Sequence, residues 1–553
     1  MDSTVSIFSG ILPRSFADLF SCLQTHFDVL VIGGGPAGAY AASALAREGI
    51  STVVLEATRF PRYHIGESML PSLTSFMKFI GMEEKLRQYG FCVKRGAAVK
   101  FNQRKREGYT DFVKDDPNNG SWNVVRSEFD ELLLRHSAAC GATVLEDHKV
   151  VEVHFTDDGE RHSTQGRPCA VTYSRSSGET GKISFDYLVD ASGRNGVMST
   201  KYLKNRKMNA SLKNVACWGY WQGGYEMYMP GTRRENAPWF EALTDESGWG
   251  WFIPLHNGTV SVGIVLHQDT SNAKKAVGRD AAASKGNNSY SLRDHYLDQF
   301  QFLPGLKKLL GTGTLAGGVV KSASDYSYSA DRYSGDHFRI IGDASAFIDP
   351  LFSSGVHLAL LGGLTAAATI AASMRGHCSE AVAAEYHTNK VGAAYTRFFF
   401  VVMSAYKQIR SQSVDVLSDV DEDNFDRAFD IIRPVIQGTS DVGKKVTEDE
   451  LQRALTFCQD VWAPTDPEMH ASVASRLGPE LLSPAAPIFS REELSELIDP
   501  ADEESMDVVR RINARKVTDP IFRGTHTLEV EPERGWIACL ERGQLGLVWV
   551  GEE

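Results

Sequence analysis

Apolar and polar positions follow two different periods near the start of this 553-residue chain. Residues 27–32 are apolar except for Asp28, which is typical of a buried strand. From Pro36 to about Glu48, small apolar residues recur at helical spacing, and a second apolar run at 51–55 ends at Glu56. The pattern predicts a strand, a helix and a second strand, which together begin a parallel α/β sheet.

Later apolar runs extend this sheet and predict a second one. Residues 185–190 and 338–341 are typical of buried strands, and the run at 355–374 is typical of an apolar helix. That helix is long enough to cross a membrane, but its Gly, Thr and His residues favour packing against a sheet, so we expect no transmembrane segment. Strand-like runs that alternate with turns predict an antiparallel sheet and lie at 214–224, 248–254 and 259–266.

A glycine-rich turn joins the first strand to the first helix and carries the sequence Gly33-Gly34-Gly35-Pro36-Ala37-Gly38. A turn of this kind, followed by an acidic residue about twenty positions later, is the context that identifies a dinucleotide site. Gly33 and Gly35 let the backbone approach a pyrophosphate, and the helix N-terminus at Ala37 and Gly38 meets its charge. Glu56 is placed to accept hydrogen bonds from a ribose.

Three later segments indicate that the nucleotide is FAD. They are "WNVVRSEFD" with Arg126, "FDYLVDASGRNG" at 185–196, and "FRIIGDASAFIDPLFSSGVHLAL" at 338–360 with Asp343. In this order they resemble the FAD-binding signatures of the p-hydroxybenzoate-hydroxylase-like flavoproteins. The resemblance implies that Arg126 and Asp343 bind FAD, with Asp343 on the ribityl chain. The sequence has no second strand–GxGxxG–helix unit that would hold NAD(P)H.

The predicted fold class is therefore α/β, with a Rossmann-like FAD-binding domain, an antiparallel substrate subdomain and a mainly helical C-terminal region. Residues 1–25 form an N-terminal extension with apolar residues at helical spacing. The other predicted segments are 26–200 and 335–375 for FAD binding, 201–334 for the substrate subdomain and 376–553 for the C-terminal region.

Composition narrows the partners. Lysine and arginine total 58 against 70 acidic residues, a net charge of −12 without a basic stripe, so we expect no nucleic acid and no anionic membrane surface. Eight cysteines lie far apart without metal-ligand spacing, so we expect no metal site. The N-terminus lacks the features of a secretory signal. These observations favour a cytoplasmic protein.

The stretch "SGWGWFIP" at 247–254 carries the most specific signal. On a strand, Trp249, Trp251 and Ile253 share one face and Gly250 lies on the other. The motif matches the WxWxIP signature of flavin-dependent halogenases, and "FPRYHIGESMLPS" and "DPLFSSGVHLAL" resemble the fungal phenol-type members. The resemblance extends from about residue 27 to residue 440. It implies an enzyme that uses FADH2, O2 and chloride to form HOCl and chlorinate an electron-rich phenolic ring, in particular of an aromatic polyketide.

The resemblance also implies roles for individual residues. Trp249 and Trp251 separate the flavin from the substrate, so that chloride rather than the substrate is oxidised first. Chloride lies against the backbone amides of Ser354 and Gly355. Lys94 captures or orients HOCl, on a predicted strand at 92–100 whose same face carries the small residues Cys92, Gly96 and Ala98. Lys78, on a helix, and Lys100 are the competing lysines.

One position departs from the tryptophan halogenases. They have a glutamate two residues before the Ser/Thr-Gly pair that aligns with Ser354-Gly355, and this chain has Phe352 there. A phenol does not need that acid, because its oxygen donates electron density to the ring. The ring-proton acceptor is then unassigned, and His357 is either that acceptor or a residue of helix packing.

Without a nucleotide domain of its own for NAD(P)H, the enzyme is expected to take FADH2 from a separate flavin reductase. Two alternatives remain at this point. One is a single-component aromatic hydroxylase that reduces its own FAD with NAD(P)H, and the other is a non-catalytic flavin-fold binding protein. Steady NADPH oxidation by the protein alone distinguishes the hydroxylase.

Overall fold

The computed structural model describes residues 26–103, 107–113, 117–156, 166–286, 289–324, 327–410 and 412 and, with gaps, residues 467–551. The helical pattern expected within residues 1–25 lies outside the described residues.

The first sheet contains eight strands and carries the predicted parallel unit. Its strands are β1 His26–Ile32, β2 Thr52–Glu56, β7 Thr143–Glu146, β8 Lys149–Phe155, β9 Pro168–Ser174, β10 Thr180–Asp190, β19 Ser334–Gly335 and β20 Phe338–Ile340. Strands β20, β10, β1, β2 and β7 are neighbours in this order and run parallel. The carboxyl ends of β1, β10 and β20 therefore lie side by side, which brings their loops to one edge of the sheet.

The second sheet also has eight strands. They are β4 Gly96–Lys100, β5 Gly108–Asp111, β12 Asn214–Gln222, β13 Trp239–Ala242, β14 Gly248–Pro254, β15 Thr259–His267, β16 Thr314–Leu315 and β17 Lys321–Ser324. All its pairs are antiparallel except β13 with β4. Strands β4 and β5 come from the segment assigned to FAD binding, so that segment contributes to both sheets.

The predicted continuous strand at 92–100 is wrong. Strand β3 (Cys92–Lys94) pairs with β6 (Ser121–Asn123) in a separate two-stranded sheet, and after Arg95 the chain joins the second sheet as β4. Lys94 thus does not share a strand face with Gly96 and Ala98. Small residues leave the register and continuity of a strand weakly specified, so its partners decide where it breaks.

The described helices cover the faces and edges of these sheets. They are α1 Pro36–Arg47, α2 Ser72–Ile80, α3 Glu83–Tyr89, α4 Arg126–Ala139, α5 Gln268–Ser284, α6 Leu292–Asp298, α7 Pro304–Leu310, α8 Ser354–Met374, α9 Glu380–Arg410, α10 Pro467–Leu477 and α11 Arg491–Leu497. Helix α8 packs between α1 and α9. Among the described helices it alone is long and apolar enough to cross a membrane, and 89% of its apolar window is buried inside the protein.

Two further short sheets complete the described strands. One pairs β11 (Arg206–Met208) with β18 (Tyr328–Ala330), and the other is a hairpin of β21 (Trp536–Cys539) and β22 (Gly546–Trp549). The hairpin packs on α8, so the end of the mainly helical C-terminal region contacts the FAD-binding part.

Candidate functional site

A cavity of about 710 Å³ lies at the carboxyl edge of the first sheet and extends to the second sheet. Most of the predicted site residues line it together, although they come from segments up to 322 positions apart in sequence. The predicted residues at its wall are Gly33, Gly35, Ala37, Glu56, Arg126, Trp249, Trp251, Asp343 and Gly355.

The glycine turn forms one end of this cavity. Gly33 has φ +98°, and a Cβ there would lie 2.4 Å from the Ala191 carbonyl oxygen, so only glycine fits. A Cβ on Gly38 would lie 2.0 Å from the Gly33 oxygen, which shows that Gly38 supports the turn from beneath rather than lining the cavity. The Glu56 carboxylate accepts hydrogen bonds from the backbone N–H groups of Gly34, at 2.7 Å, and Thr58, at 2.9 Å.

Arg126 and Asp343 both line the cavity. Arg126 begins α4 and forms a double hydrogen bond with Asp130, at 2.8 and 3.0 Å, while it also donates to the Ile65 carbonyl at 2.7 Å. Burial raises the pKa of the Asp343 carboxyl to about 6, and the nearby Arg126 opposes this shift. The two side chains are therefore close enough for their charges to interact.

These features fit FAD. The turn at Gly33 leaves room for a pyrophosphate at the N-terminus of α1, Glu56 lies at the end of β2 where a ribose would be bound, and the cavity is also lined by residues of α8. We assign these residues, together with Arg126 and Asp343, as the candidate FAD site.

The two tryptophans form a wall at the other end of the cavity. Trp249 and Trp251 lie on β14 with their ring centroids 5.8 Å apart, and they are only 1% and 5% exposed. Ile253 lies on the same face, as the two-residue period predicts. On the opposite face, a Cβ on Gly250 would lie 2.7 Å from Leu303, so the absent side chain makes room for residues near α7 rather than for a ligand.

Buried hydrogen bonds hold both indoles in place. Trp249 Nε1 donates to the Tyr406 hydroxyl at 2.8 Å, and that hydroxyl donates to Asp349 Oδ2 at 2.8 Å. Asn214 also donates to Asp349, at 2.8 Å. Trp251 Nε1 donates to Ser261 Oγ at 3.1 Å. Because each buried N–H has a partner, the wall has a defined geometry.

The N-terminus of α8 faces the cavity through Ser353 and Gly355. Ser353 has φ 56°, which turns the chain sharply into the helix. Ser354 lies behind this turn, fully buried, and its hydroxyl has no hydrogen-bond partner among the described residues. The first amides of a helix have no intrahelical partner, so Ser354 and Gly355 remain candidates for binding chloride.

Lys94 does not line the cavity but lies directly behind its wall. Its side chain is 1% exposed, and Nζ donates to Ser68 Oγ and to the Met69 carbonyl, both at 2.8 Å. Ser68 itself lines the cavity. Burial lowers the pKa of Lys94 to about 7, although the Phe112 ring, 5.0 Å away, favours the ammonium.

The other candidates lie elsewhere. Lys78 is exposed on α2, and Lys100 lies on β4 beside Glu241 of β13. His357 is buried on α8, where it bonds to Ser72 and burial lowers its pKa to about 3. These contacts favour the role of His357 in helix packing. Phe352 packs against Phe101, with centroids 6.0 Å apart.

Sequence reasoning assigned no role to several polar residues at this wall. Glu67 lines the cavity at 2% exposure, and it bonds to Tyr220 and Ser261. Glu67 belongs to the "FPRYHIGESMLPS" stretch that carries the resemblance, but its partners Tyr220 and Ser261 come from strands 153 and 194 positions later. No local pattern brings them together.

One group could hold a metal by geometry. The ligand atoms of Asp336, His337 and Glu380 lie within 4.8 Å of one another, but Glu380 is already paired with Arg339 at 2.8 Å. The arrangement is explained by this ion pair, and the absence of a metal stays a prediction.

Comparison with known proteins identifies the relatives of this chain. A family model described as tryptophan halogenase matches residues 28–119 and 114–414. The flavin-dependent halogenase armH4 of Armillaria mellea is 58% identical, over 95% of this chain and 99% of the relative. The sulochrin halogenase gedL of Aspergillus terreus is 46% identical, over 94% of this chain and 92% of the relative.

A solved structure agrees with these relatives. The FAD-dependent halogenase CndH, a myxobacterial chondrochloren halogenase, superposes with a TM-score of 0.61 at 27% identity, covering 78% of this chain and 97% of its own. These similarities support neither the hydroxylase nor the non-catalytic alternative. The tryptophan wall, the FAD cavity and these relatives together show that the chain belongs to the family of flavin-dependent halogenases.

Proposed function

We propose that this halogenase chlorinates an electron-rich phenolic ring of an aromatic polyketide, with HOCl relayed to the substrate by Lys94. The observation that carries this proposal is the buried Lys94 amine, which bonds to the hydroxyl of a residue at the cavity wall. A buried lysine without a carboxylate partner is costly unless it has a task. Capture or orientation of a small oxidant is such a task.

Different residues of the site carry out different parts of the proposed reaction. Bound FADH2 would give O2 the two electrons that bring it to the peroxide level, at which it oxidises chloride to HOCl. The N-terminus of α8 holds chloride with the amides of Ser354 and Gly355, and the wall of Trp249 and Trp251 keeps the aromatic substrate away from the flavin. HOCl is small enough to pass Ser68 and reach Lys94.

The form of Lys94 follows from its contacts. A neutral amine has two N–H groups, and Ser68 Oγ and the Met69 carbonyl accept two hydrogen bonds from Nζ. Its lone pair is then available to attack the chlorine of HOCl, which forms an N–Cl bond and releases hydroxide. With a pKa of about 7, the free amine is well populated at neutral pH. This supports the chloramine route over an ammonium that only donates a hydrogen bond.

A phenol fits the residue at position 352. Phe352 has no proton to give or take, and it packs against Phe101. A ring activated by its own oxygen needs no acid at this point, whereas an indole carbon does. We therefore expect phenols to be good substrates and free tryptophan a poor one.

The source of FADH2 is the second part of the proposal. The sequence has one glycine-rich nucleotide turn, and "GTGTLAGG" at 311–318 forms the two-residue strand β16 and a 3-10 turn at Ala316–Gly318 rather than a strand–turn–helix unit. A separate flavin reductase would then supply the enzyme with FADH2.

The location of the protein in the cell is a further part of the proposal. The six described cysteines are free thiols, which supports a reducing cytoplasmic location.

Mass spectrometry tests this function directly. The protein is incubated with FAD, a flavin reductase, NADH, chloride and either a resorcinol-type polyketide or free tryptophan. We expect the isotope pattern of chlorine in the phenolic product and little chlorinated tryptophan. Comparable rates on both substrates would contradict the phenol assignment.

A further inference from the structure

A chain of hydrogen-bonded side chains leads from Glu67 in the FAD cavity to the exposed Tyr63 and has no role in the proposal above. Tyr220 donates a hydrogen bond to Glu67 Oε1 at 2.6 Å, and the hydroxyls of Tyr220 and Tyr63 lie 3.1 Å apart. Trp218 Nε1 donates to the Tyr63 hydroxyl at 2.7 Å. Since Tyr220 gives its proton to Glu67, Tyr63 donates to Tyr220, and every donor in the chain points toward Glu67.

The two ends of this chain lie in different surroundings. Glu67 is 2% exposed and lines the cavity, whereas Tyr63 is 48% exposed at the rim. On the inner side, the Ser261 hydroxyl accepts from Trp251 Nε1 and bonds to Glu67. The carboxyl is thus linked both to the tryptophan wall and to the outside.

Backbone contacts fix the position of Glu67. Its carbonyl accepts from the Val124 N–H at 2.8 Å, and Arg126 holds the preceding carbonyls of Ile65 and Gly66 at 2.7 and 3.3 Å. The next residue, Ser68, accepts from Lys94. Glu67 therefore lines the flavin cavity and is adjacent in sequence to Ser68, the residue that Lys94 contacts.

The chemistry of the halogenase requires a proton at this place. Chlorination follows ArH + Cl⁻ + FADH2 + O2 + H⁺ → ArCl + FAD + 2 H2O. The C–H bond of the ring is replaced by a C–Cl bond, and O2 takes two electrons from FADH2 and two from the chlorination. Each turnover consumes one proton. Several ionisable side chains line the cavity, among them His64, His148, Asp343 and Glu67. Glu67 has, in addition, a hydrogen-bonded path through Tyr220 to the exposed Tyr63.

We propose that Glu67, Tyr220 and Tyr63 form a proton relay that supplies the cavity with the proton consumed in each turnover. Glu67 gives up its carboxyl proton inside the cavity, and the hydroxyl protons of Tyr220 and Tyr63 then shift together toward the carboxylate while solvent reprotonates Tyr63. The shift is concerted, because burial and the charge of Glu67 raise the pKa of Tyr220 far above its ordinary value and a tyrosinate there would be costly. The inference rests on the proposed chlorination but not on which ring is chlorinated.

The electrostatic surroundings support this relay. Burial raises the pKa of Glu67 to about 7, and the hydrogen bonds from Tyr220 and Ser261 and the charge of Arg126 oppose the shift. The Lys321 ammonium lies 4.1 Å from the Tyr63 ring at the outer end. A group that is protonated in about half of the molecules at neutral pH can both give and accept a proton.

Three variants test the relay. Glu67→Gln keeps the shape and can accept from Tyr220 but cannot release a proton, Tyr220→Phe breaks the chain in its middle, and Tyr63→Phe breaks it at the rim. Tyr225→Phe is the matched control, because Tyr225 bonds to the Gly258 carbonyl outside the chain. We expect chlorination to fall roughly 10²-fold in Glu67→Gln and Tyr220→Phe, less in Tyr63→Phe, and not in the control.

A readout independent of turnover separates a relay from a structural role. Infrared spectroscopy of the protein with oxidised FAD should show a protonated carboxyl band that disappears with a midpoint near pH 7 and is missing in Glu67→Gln. The solvent deuterium isotope effect on chlorination should be lost or changed in Tyr220→Phe. Wild-type rates in both Glu67→Gln and Tyr220→Phe, or the lack of a titrating carboxyl band, would overturn the relay. If wild type chlorinates no phenol but does chlorinate another ring, only the substrate assignment fails.

Discussion

Lys94 is the residue on which the proposed function depends most narrowly. Replacing Lys94 with alanine should keep FAD binding and abolish aromatic chlorination, because no other described amine contacts Ser68. The measurement combines flavin absorbance titration with product mass spectrometry. Lys78→Ala is the control, since Lys78 is exposed on α2, and Lys100→Ala should also remain active. Chlorination by Lys94→Ala together with inactivity of Lys78→Ala would show that the wrong lysine was assigned.

The pKa of Lys94 gives a pH dependence. Its pKa lies near 7 in the folded protein, so the reactive free amine increases as the pH rises through 7. Chlorination at saturating substrate should rise across this range. The pKa of Glu67 is also about 7, so both groups change their charge in the same pH range. The increase in rate that Lys94 causes is therefore best measured as the residual chlorination activity of Glu67→Gln. A rate that falls as the pH rises in that variant would favour the ammonium form.

The lowered pKa of Lys94 also makes the free energy of unfolding depend on pH, and the direction follows from the protons bound by the folded and unfolded states. The unfolded chain binds the Lys94 proton up to about pH 10.4, and the folded chain releases it near pH 7. The unfolded state therefore holds more protons between these values, and the contribution of Lys94 to the free energy of unfolding rises with pH in this window. Lys94→Met should remove that rise, which urea unfolding at pH 7 and pH 9 measures.

At the scale of elements, contacts on both faces fix the position of strand β14: hydrogen bonds to the two indoles on one face, and Leu303 against Gly250 on the other. Trp249→Ala or Trp251→Ala should cost about 3–5 kcal/mol of stability, because each deletes a buried indole and leaves a cavity. The soluble variants should still bind FAD but chlorinate poorly, since the barrier between flavin and substrate is opened. Thermal unfolding and chlorination assays measure the two effects.

Tyr406→Phe is the companion change for this wall. It leaves both indoles in place but removes the acceptor of Trp249 Nε1 and one donor to Asp349, at a cost of about 1–3 kcal/mol. A smaller loss of chlorination than in Trp249→Ala is expected. Unchanged chlorination in both tryptophan variants would show that the indoles serve only the core.

Elements also show where local patterns were sufficient and where they failed. Strand β1, helix α1 and strand β2 lie within one or two residues of their predicted bounds, because each has a strong period of its own. The polar segment at 268–291 carries no pattern that predicts a helix, yet helix α5 forms within it at the surface, with Ser271 as its one buried residue. A helix that buries almost nothing has no apolar stripe, so its sequence does not indicate a helix.

At the scale of the molecule, the described residues bring the FAD site, the tryptophan wall and Lys94 together, and the sequence has no second glycine-rich nucleotide unit. Chlorination should therefore require an added flavin reductase or chemically reduced FAD. The assay compares chlorination with NADPH alone, with NADH and a reductase, and with dithionite-reduced FAD. Efficient turnover from NADPH and the lone protein would contradict dependence on a reductase.

The sequence by itself determined the family, the cofactor and the residues of the FAD turn and the tryptophan wall. These signals are local, because a glycine that must adopt φ +98° or an indole spaced by two on a strand is specified within a few residues. It also placed Lys94, Ser354 and Gly355 near the chemistry through the resemblance.

Only the tertiary structure decided how these parts contact one another. The strand is interrupted at Arg95, so Lys94 and Gly96 belong to two different sheets. The hydrogen-bond partners of the Lys94 amine come from the loop before α2. Tyr406 reaches Trp249 across 157 positions, and Tyr220 reaches Glu67 across 153. No sequence pattern around a tyrosine indicates which distant residue its hydroxyl will contact. That contact depends on how whole sheets and helices pack, rather than on neighbours in sequence.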